Sequence, residues 1–244
     1  MTISEKAWAD YITKITNLKG RARLNFLNYI EKHGIDDVNA VTDYAYALAT
    51  KYGEGTAATA AEFYDAVALA QGADVPEAIL ADTATKGETE YAVKKALDSS
   101  GINAAADAVE TLTKQAGEDT IWQNAKRDGA EMAWIPAGGG TCPFCLIVAS
   151  NGWRHASEKT MRGQHATHIH AHCRCAFAVR FDGKSGVAGY NPEKLKRIYD
   201  SAPGKTSLEK ANYLRRENYE KNKDEINARK RELYKLNTQK KNNG

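Results

Sequence analysis

All four cysteines of the 244-residue chain lie within one 34-residue window, as Cys142, Cys145, Cys173 and Cys175. Five of the six histidines fall in the same region. The first residues have neither a basic start nor an apolar stretch, so no signal peptide is visible, and we expect the protein to be made and to stay in a cytosol-like compartment. In a reducing compartment, clustered cysteines indicate a metal site rather than disulfides.

The cysteines form two groups, each typical of half a zinc site. Cys142 and Cys145 are separated by two residues, a gap that lets both sulfur atoms face one ion from a tight turn. His170, Cys173 and Cys175 follow about 25 residues later. Structural zinc prefers four nitrogen and sulfur ligands in a tetrahedron. We therefore predict that Cys142, Cys145 and Cys173 bind Zn²⁺, and that either His170 or Cys175 is the fourth ligand.

The predicted zinc is structural rather than catalytic, because four protein ligands leave no open position for a catalytic water. Residues 141–175 are poor in large apolar side chains, so we expect the bound metal, rather than a hydrophobic core, to stabilise the fold of this region. A redox Cys-x-x-Cys pair would not explain the second cluster. The remaining histidines of the region are interpreted as solvated loop residues: His155, His165, His168 and His172.

The first 130 residues predict a helical bundle. Apolar residues recur at steps of three and four, and no segment shows the sustained alternation of a strand. A helix start is predicted at residues 74–77, where Asp74 can cap the helix and Pro76 suits its first turn. Glycines mark the expected breaks between helices: Gly20, Gly53, Gly55, Gly72, Gly87, Gly101 and Gly117.

The character of the sequence changes after Met132. Pro136 and the three glycines at 138–140 oppose a helix, residues 176–181 predict a short strand, and residues 182–189 predict a loop. The last fifty residues return to a helical pattern, with Pro192 and Pro203 near helix starts. The predicted fold class is mainly α, in three parts. These are a helical domain over 1–131, a small zinc-stapled α+β module over 132–190 and a basic helical tail over 191–244.

The formal net charge is only +3, but it is unevenly distributed. Residues 191–244 contain fifteen Lys or Arg and eight Asp or Glu. The basic residues at 229, 230, 231, 235, 240 and 241 could neutralise DNA phosphates without reading sequence. The other interpretation is a solvated helix, because acidic residues interleave with the basic ones. No apolar run is long enough to span a bilayer, so we expect no membrane partner. We also expect no small-molecule substrate.

The central motifs also resemble a known family. The stretches Trp134-Ile135-Pro136, Gly138-Gly139-Gly140-Thr141-Cys142-Pro143-Phe144-Cys145 and His170-Ala171-His172-Cys173-Arg174-Cys175 are similar to the MuF-like minor head proteins of tailed bacteriophages. The resemblance covers roughly residues 55–182. It implies a minor capsid component inside the head, near the portal, that acts in head assembly beside portal and capsid proteins. The family brings no catalytic residues, so we expect no enzyme activity.

A second hypothesis is a zinc-stapled nuclease of the His-Asn-His type, since such enzymes also hold a small ββα motif between paired cysteine clusters. His165, His168 and His170 could then act as base and metal ligands. Against it, the chain lacks a clean catalytic histidine beside a suitable Asn or Asp after the first cysteine pair. A structural virion component is therefore the first hypothesis, with DNA binding by the tail as a third.

Overall fold

The structure is a computed structural model that describes residues 2–137, 143–157, 175–206, 208–217, 219–224 and 227. The described part of the chain is mainly helical, as predicted. The helices are α1 (Glu5–His33), α2 (Val38–Gln71), α3 (Lys86–Ser100), α4 (Ile102–Asp128), α5 (Pro143–Ala149) and α6 (Pro192–Ser201). The strands are β1 (Glu131–Ile135), β2 (Arg154–His155) and β3 (Ala176–Arg180). Residues 208–217 are also helical.

Side-chain caps and glycines set the ends of the helices. Ser4 caps α1 by accepting a hydrogen bond from the Ala7 amide at 3.1 Å. Thr85 and Glu88 form a reciprocal capping box at the start of α3. The predicted ends at Gly72 and Gly101 are confirmed, and both glycines have positive φ. These local signals are readable from sequence because each acts within one turn.

Most of the other predicted glycine breaks are wrong. Gly20 lies inside α1, Gly53 and Gly55 inside α2, and Gly117 inside α4, while Gly87 lies in the first turn of α3. A glycine in a helix costs only about 1 kcal/mol relative to alanine, which the packing of a long apolar face outweighs. At Gly117 the missing side chain also allows close contact, because a Cβ there would lie 3.0 Å from the Thr56 carbonyl oxygen of α2.

The predicted helix start at residues 74–77 is also wrong. Residues 73–85, here called the strap, form no helix and lie along α4. Asn124 of α4 accepts from the Ile79 amide at 2.9 Å and donates to the Ile79 carbonyl at 2.8 Å. Thr120 accepts from the Ala81 amide at 3.0 Å, and Asp65 of α2 accepts from the Ala78 amide at 2.9 Å. Side chains of the bundle thus satisfy backbone groups that a helix would have satisfied internally.

The sheet has the order β2-β1-β3, and both pairings are antiparallel. The strand predicted at 176–181 is confirmed as β3, whereas β1 was not predicted as a strand. One hydrophobic core joins α1, α2 and α4 to the sheet, and a second core lies among α1, α2, α3 and α4. The division into folding units at 131/132 and 190/191 stays a prediction. No helix within the described ranges is long and apolar enough to cross a membrane.

The contact between α2 and α4 gives a first prediction. Gly117→Ala should lower the free energy of unfolding by roughly 1–3 kcal/mol, because the new methyl group is forced against the Thr56 backbone. Gly20→Ala is the matched control, since it also lies inside a long helix and a Cβ there meets nothing within 4 Å. That variant should stabilise by up to about 1 kcal/mol. Urea unfolding measures both changes, and equal stabilisation by the two alanines would contradict the close approach.

Candidate metal centre

Two of the five predicted ligands lie among the described residues. Cys145 is on α5 and Cys175 immediately precedes β3. Both are buried, with 2% and 5% of their surface exposed, and both belong to the core that joins the sheet to the helices. The two halves of the cysteine region therefore contribute to one core.

The other predicted ligands lie outside the described residues: Cys142, His170 and Cys173. The same holds for His165, His168 and His172. Within the ranges that the structure describes, no group of three or more His, Cys, Asp or Glu side chains is placed to hold a metal. The four-ligand zinc set thus stays a prediction.

The helix that carries Cys145 is held from two sides. With seven residues, α5 is too short to be stable alone, so its position depends on packing. Cys145, Val148 and Ala149 pack into the main core. On the other side, Leu146 forms a small cluster with Ala202 and Leu214, beyond α6. One side of α5 therefore packs against the core of the sheet, and the other side packs against the beginning of the basic tail.

The strand that follows Cys175 is paired on one edge by β1. Ala176 lies opposite Ile135, and Phe177 lies opposite Trp134. The rings of Trp134 and Phe177 make a T-shaped contact with their centroids 4.7 Å apart. Sequence reasoning found β3 from its apolar run but not its partner, because the register joins residues more than forty positions apart.

Helix side chains cover the other edge of β3. In an antiparallel pair the backbone groups of alternate residues point away from the partner strand. Lys114 of α4 donates a hydrogen bond to the Cys175 carbonyl, and Glu118 accepts one from the Phe177 amide at 2.8 Å. Gln71 of α2 accepts from the Phe181 amide at 2.8 Å. These three side chains take the place of a further strand.

Lys114 and Glu118 are buried charges, each with 2% of its side chain exposed. Their charged atoms lie 3.4 Å apart, and the Lys114 ammonium lies 4.7 Å from the centroid of the Trp134 ring. The pair was not identified from the sequence. The spacing of these residues could have revealed it. Lys114 and Glu118 lie on the same helix face as Ile121 and Ala125, at steps of four, three and four residues, and Ile121 and Ala125 are fully buried.

The surroundings of Glu118 are strongly desolvated. Burial raises the pKa of the Tyr11 phenol well above its usual value, and the negative charge of Glu118 adds to that shift. The Tyr11 hydroxyl has no hydrogen-bond partner among the described residues. In such a core an isolated charge is very costly, so Lys114 and Glu118 depend on each other.

The rim of the sheet is held by a separate set of polar contacts. Arg180 of β3 forms an ion pair with Glu131 of β1 at 2.7 Å, directly across the strands. The Arg180 guanidinium also lies 4.7 Å from the centroid of the Trp153 ring. His155 is exposed on β2, with Nδ1 3.0 Å from the Gly129 carbonyl oxygen. His155 is therefore directed to local backbone at the sheet rim.

A family model described as VG15 protein matches residues 2–202. The chain belongs to the VG15 family. This is a viral family of phage proteins, so the chain is a phage protein. The matched range runs from α1 past α6 and includes the whole cysteine region. Neither curated proteins nor solved structures yield a match.

The double packing of α5 gives a second prediction. If Cys145 binds zinc, removing the metal with a chelator should loosen α5 and, through Leu146, the cluster with Ala202 and Leu214. Hydrogen exchange should then become faster in α6 and in residues 208–217. The core around Phe26 serves as the internal control and should keep its protection. Unchanged exchange in α6 after complete metal removal would contradict the link.

Proposed function

We infer that this VG15-family protein is a minor capsid protein of a tailed phage, acting in head morphogenesis near the portal. The role is non-catalytic, and the middle of the protein is held together by one structural zinc ion. The single observation that carries the zinc part is the burial of Cys145 and Cys175 in one core, although they come from opposite ends of the cysteine region. The phage family and the motif resemblance support the head role.

The chemistry of Cys145 and Cys175 supports zinc. Buried thiols that ligate as thiolates, brought from two separate segments, are the donor type that closed structural zinc sites use. The ion would be held by Cys142, Cys145 and Cys173, with His170 or Cys175 completing the set. When bound, zinc supplies a cross-link rather than a reaction. It would tie α5 to the start of β3 and close the long connection between them, so that binding energy becomes folding energy.

The proposed partners are portal and capsid proteins of the virion, and packaged DNA. The body of the protein offers exposed helix surface for protein contacts, and the excess of Lys and Arg over 191–244 supports an electrostatic contact with phosphate. Residues 228–244, which carry the predicted DNA-binding charges, lie outside the described part. Within the infected cell the protein would act in the host cytoplasm and end inside the head.

A complementation experiment tests this function. A phage with a nonsense mutation in this gene should give few infectious particles, and plasmid-borne wild-type protein should restore the titre and co-purify with heads. A Cys145→Ser, Cys175→Ser double variant should fail to enter heads, because the zinc module would not form. His155→Ala is the control from the same region, since His155 is exposed and is not a predicted ligand.

Two results would contradict the proposal. One is a normal titre and normal heads without the gene product. The other is nuclease activity: clean nicking of plasmid in the presence of Mg²⁺ or Mn²⁺, lost in His168→Ala or His170→Ala with zinc retained. The second result would favour the His-Asn-His nuclease instead. Unchanged DNA affinity at low salt after truncation behind Ser201 would remove the tail from the proposal while leaving the capsid role.

A further inference from the structure

We propose that the strap and the end of α2 form a docking surface for a protein segment that carries Lys or Arg beside large apolar side chains. The inference rests on the proposed function for its setting, an assembly with other proteins, and it adds the surface and the chemistry of the partner. It needs neither the zinc ion nor any residue of the cysteine region.

The strap is held mainly through its backbone. Asn124 binds both the amide and the carbonyl of Ile79, at 2.9 and 2.8 Å. Arg127 donates to the carbonyls of Pro76 and Glu77, at 2.9 and 3.2 Å. Small or medium apolar side chains at steps of three pack towards the bundle: Val75, Ala78 and Ala81. The segment is therefore fixed in place, and the side chains between those positions are left outside.

Two of the side chains left outside are large and apolar. Ile79 is 64% exposed and Leu80 is 49% exposed. Leu69, which is 83% exposed, lies on α2 one turn after Asp65, whose carboxylate accepts from the Ala78 amide, so Leu69 lies beside the strap. Single exposed apolar residues are ordinary, but three together are typical of a contact site. Because the backbone of Ile79 is already fixed, a partner would not have to order it.

The charges of the strap itself are all negative. Residues 73–85 contain no Lys or Arg and three exposed carboxylates, none of which forms an ion pair with another described residue: Asp74, Glu77 and Asp82. The basic residues that approach the strap are already paired, Lys86 with Asp43 at 2.7 Å and Arg127 with Asp128 at 2.6 Å. A surface of this charge repels DNA phosphates and attracts a partner that brings cations.

A cavity of about 390 Å³ at the end of the strap can receive such a cation. Three carboxylates line it, Asp82 from the strap, Glu88 from α3 and Asp119 from α4, and no Lys or Arg among the described residues does. Burial raises the pKa of Asp119 to about 6, and the charge of Glu88 adds to that shift. At neutral pH Asp119 is thus a largely buried anion, and a Lys or Arg of the partner would neutralise it. Leu80 lies two residues before Asp82, so the apolar side chains and the cavity belong to one surface.

The test selects partners from a displayed library of random short peptides. Full-length wild-type protein is the bait, and the Ile79→Ser, Leu80→Ser variant is used for counter-selection. Peptides that only the wild type retains should carry Lys or Arg beside large apolar residues. Their affinity should fall at least about 10-fold in that variant, because apolar anchors supply most of the binding free energy. The Asp82→Asn, Asp119→Asn variant should bind about 3- to 10-fold more weakly, with a smaller loss at high salt.

Matched control variants separate this surface from general effects. Leu24→Ser removes a comparably exposed leucine from α1, where 56% of Leu24 is accessible. Glu31→Gln, Asp36→Asn removes two exposed carboxylates away from the strap. Both controls should bind the selected peptides as the wild type does. Asp119→Asn should not unfold the protein, because burial disfavours the charge that it removes, and circular dichroism verifies the fold of every variant.

Several results would overturn the proposal. These are the absence of peptides retained by the wild type alone, selected peptides that are acidic or uncharged, and equal affinity for the wild type and the Ile79→Ser, Leu80→Ser variant. A wild-type dimer in sedimentation that this variant loses would overturn it in favour of a second copy as the occupant. None of these measurements involves zinc or phage heads. Their failure therefore leaves the proposed function standing, and a failed complementation leaves the peptide result unchanged.

Discussion

A buried backbone N–H or C=O needs a hydrogen-bond partner, and in this protein α4 supplies such partners to two segments that do not lie in helices. Thr120 and Asn124 bind the strap, and Lys114 and Glu118 bind the edge of β3. Without these side chains the Ile79 and Ala81 amides and the Ile79 carbonyl would lose their partners, and β3 would have an unpaired edge inside the core. The helical bundle thus supplies the hydrogen-bond partners that hold the strap and β3 in place.

This arrangement divides the ordering of the cysteine region between the bundle and the proposed metal. The bundle fixes the start of β3, and the packing of α5 on both its faces fixes Cys145. The segment between Cys145 and Cys175 is poor in large apolar residues. A zinc ion bound by both cysteine groups would stabilise the fold of this segment, as zinc does in small domains that cannot build a hydrophobic core.

The sequence predicts those features whose causes are local. The capped ends near Gly72 and Gly101, the β3 run and the start of α6 at Pro192 all depend on residues within one turn or one strand. Prediction from the sequence fails where a contact between residues far apart in the chain determines the local structure. Gly117 remains helical because α2 approaches it closely, and the strap stays out of a helix because Asn124 and Thr120 bind its backbone. Lys114 and Glu118 resemble an ordinary surface pair until β3 is placed beside them.

The central claim is that the two cysteine groups bind one zinc ion, and X-ray absorption at the zinc edge tests it most directly. Protein purified under reducing conditions should contain one zinc per chain. Its nearest shell should be four-coordinate and dominated by sulfur at about 2.3 Å, with at most one nitrogen near 2.0–2.1 Å. Absence of stoichiometric zinc, or a shell made only of oxygen and nitrogen, would contradict the account.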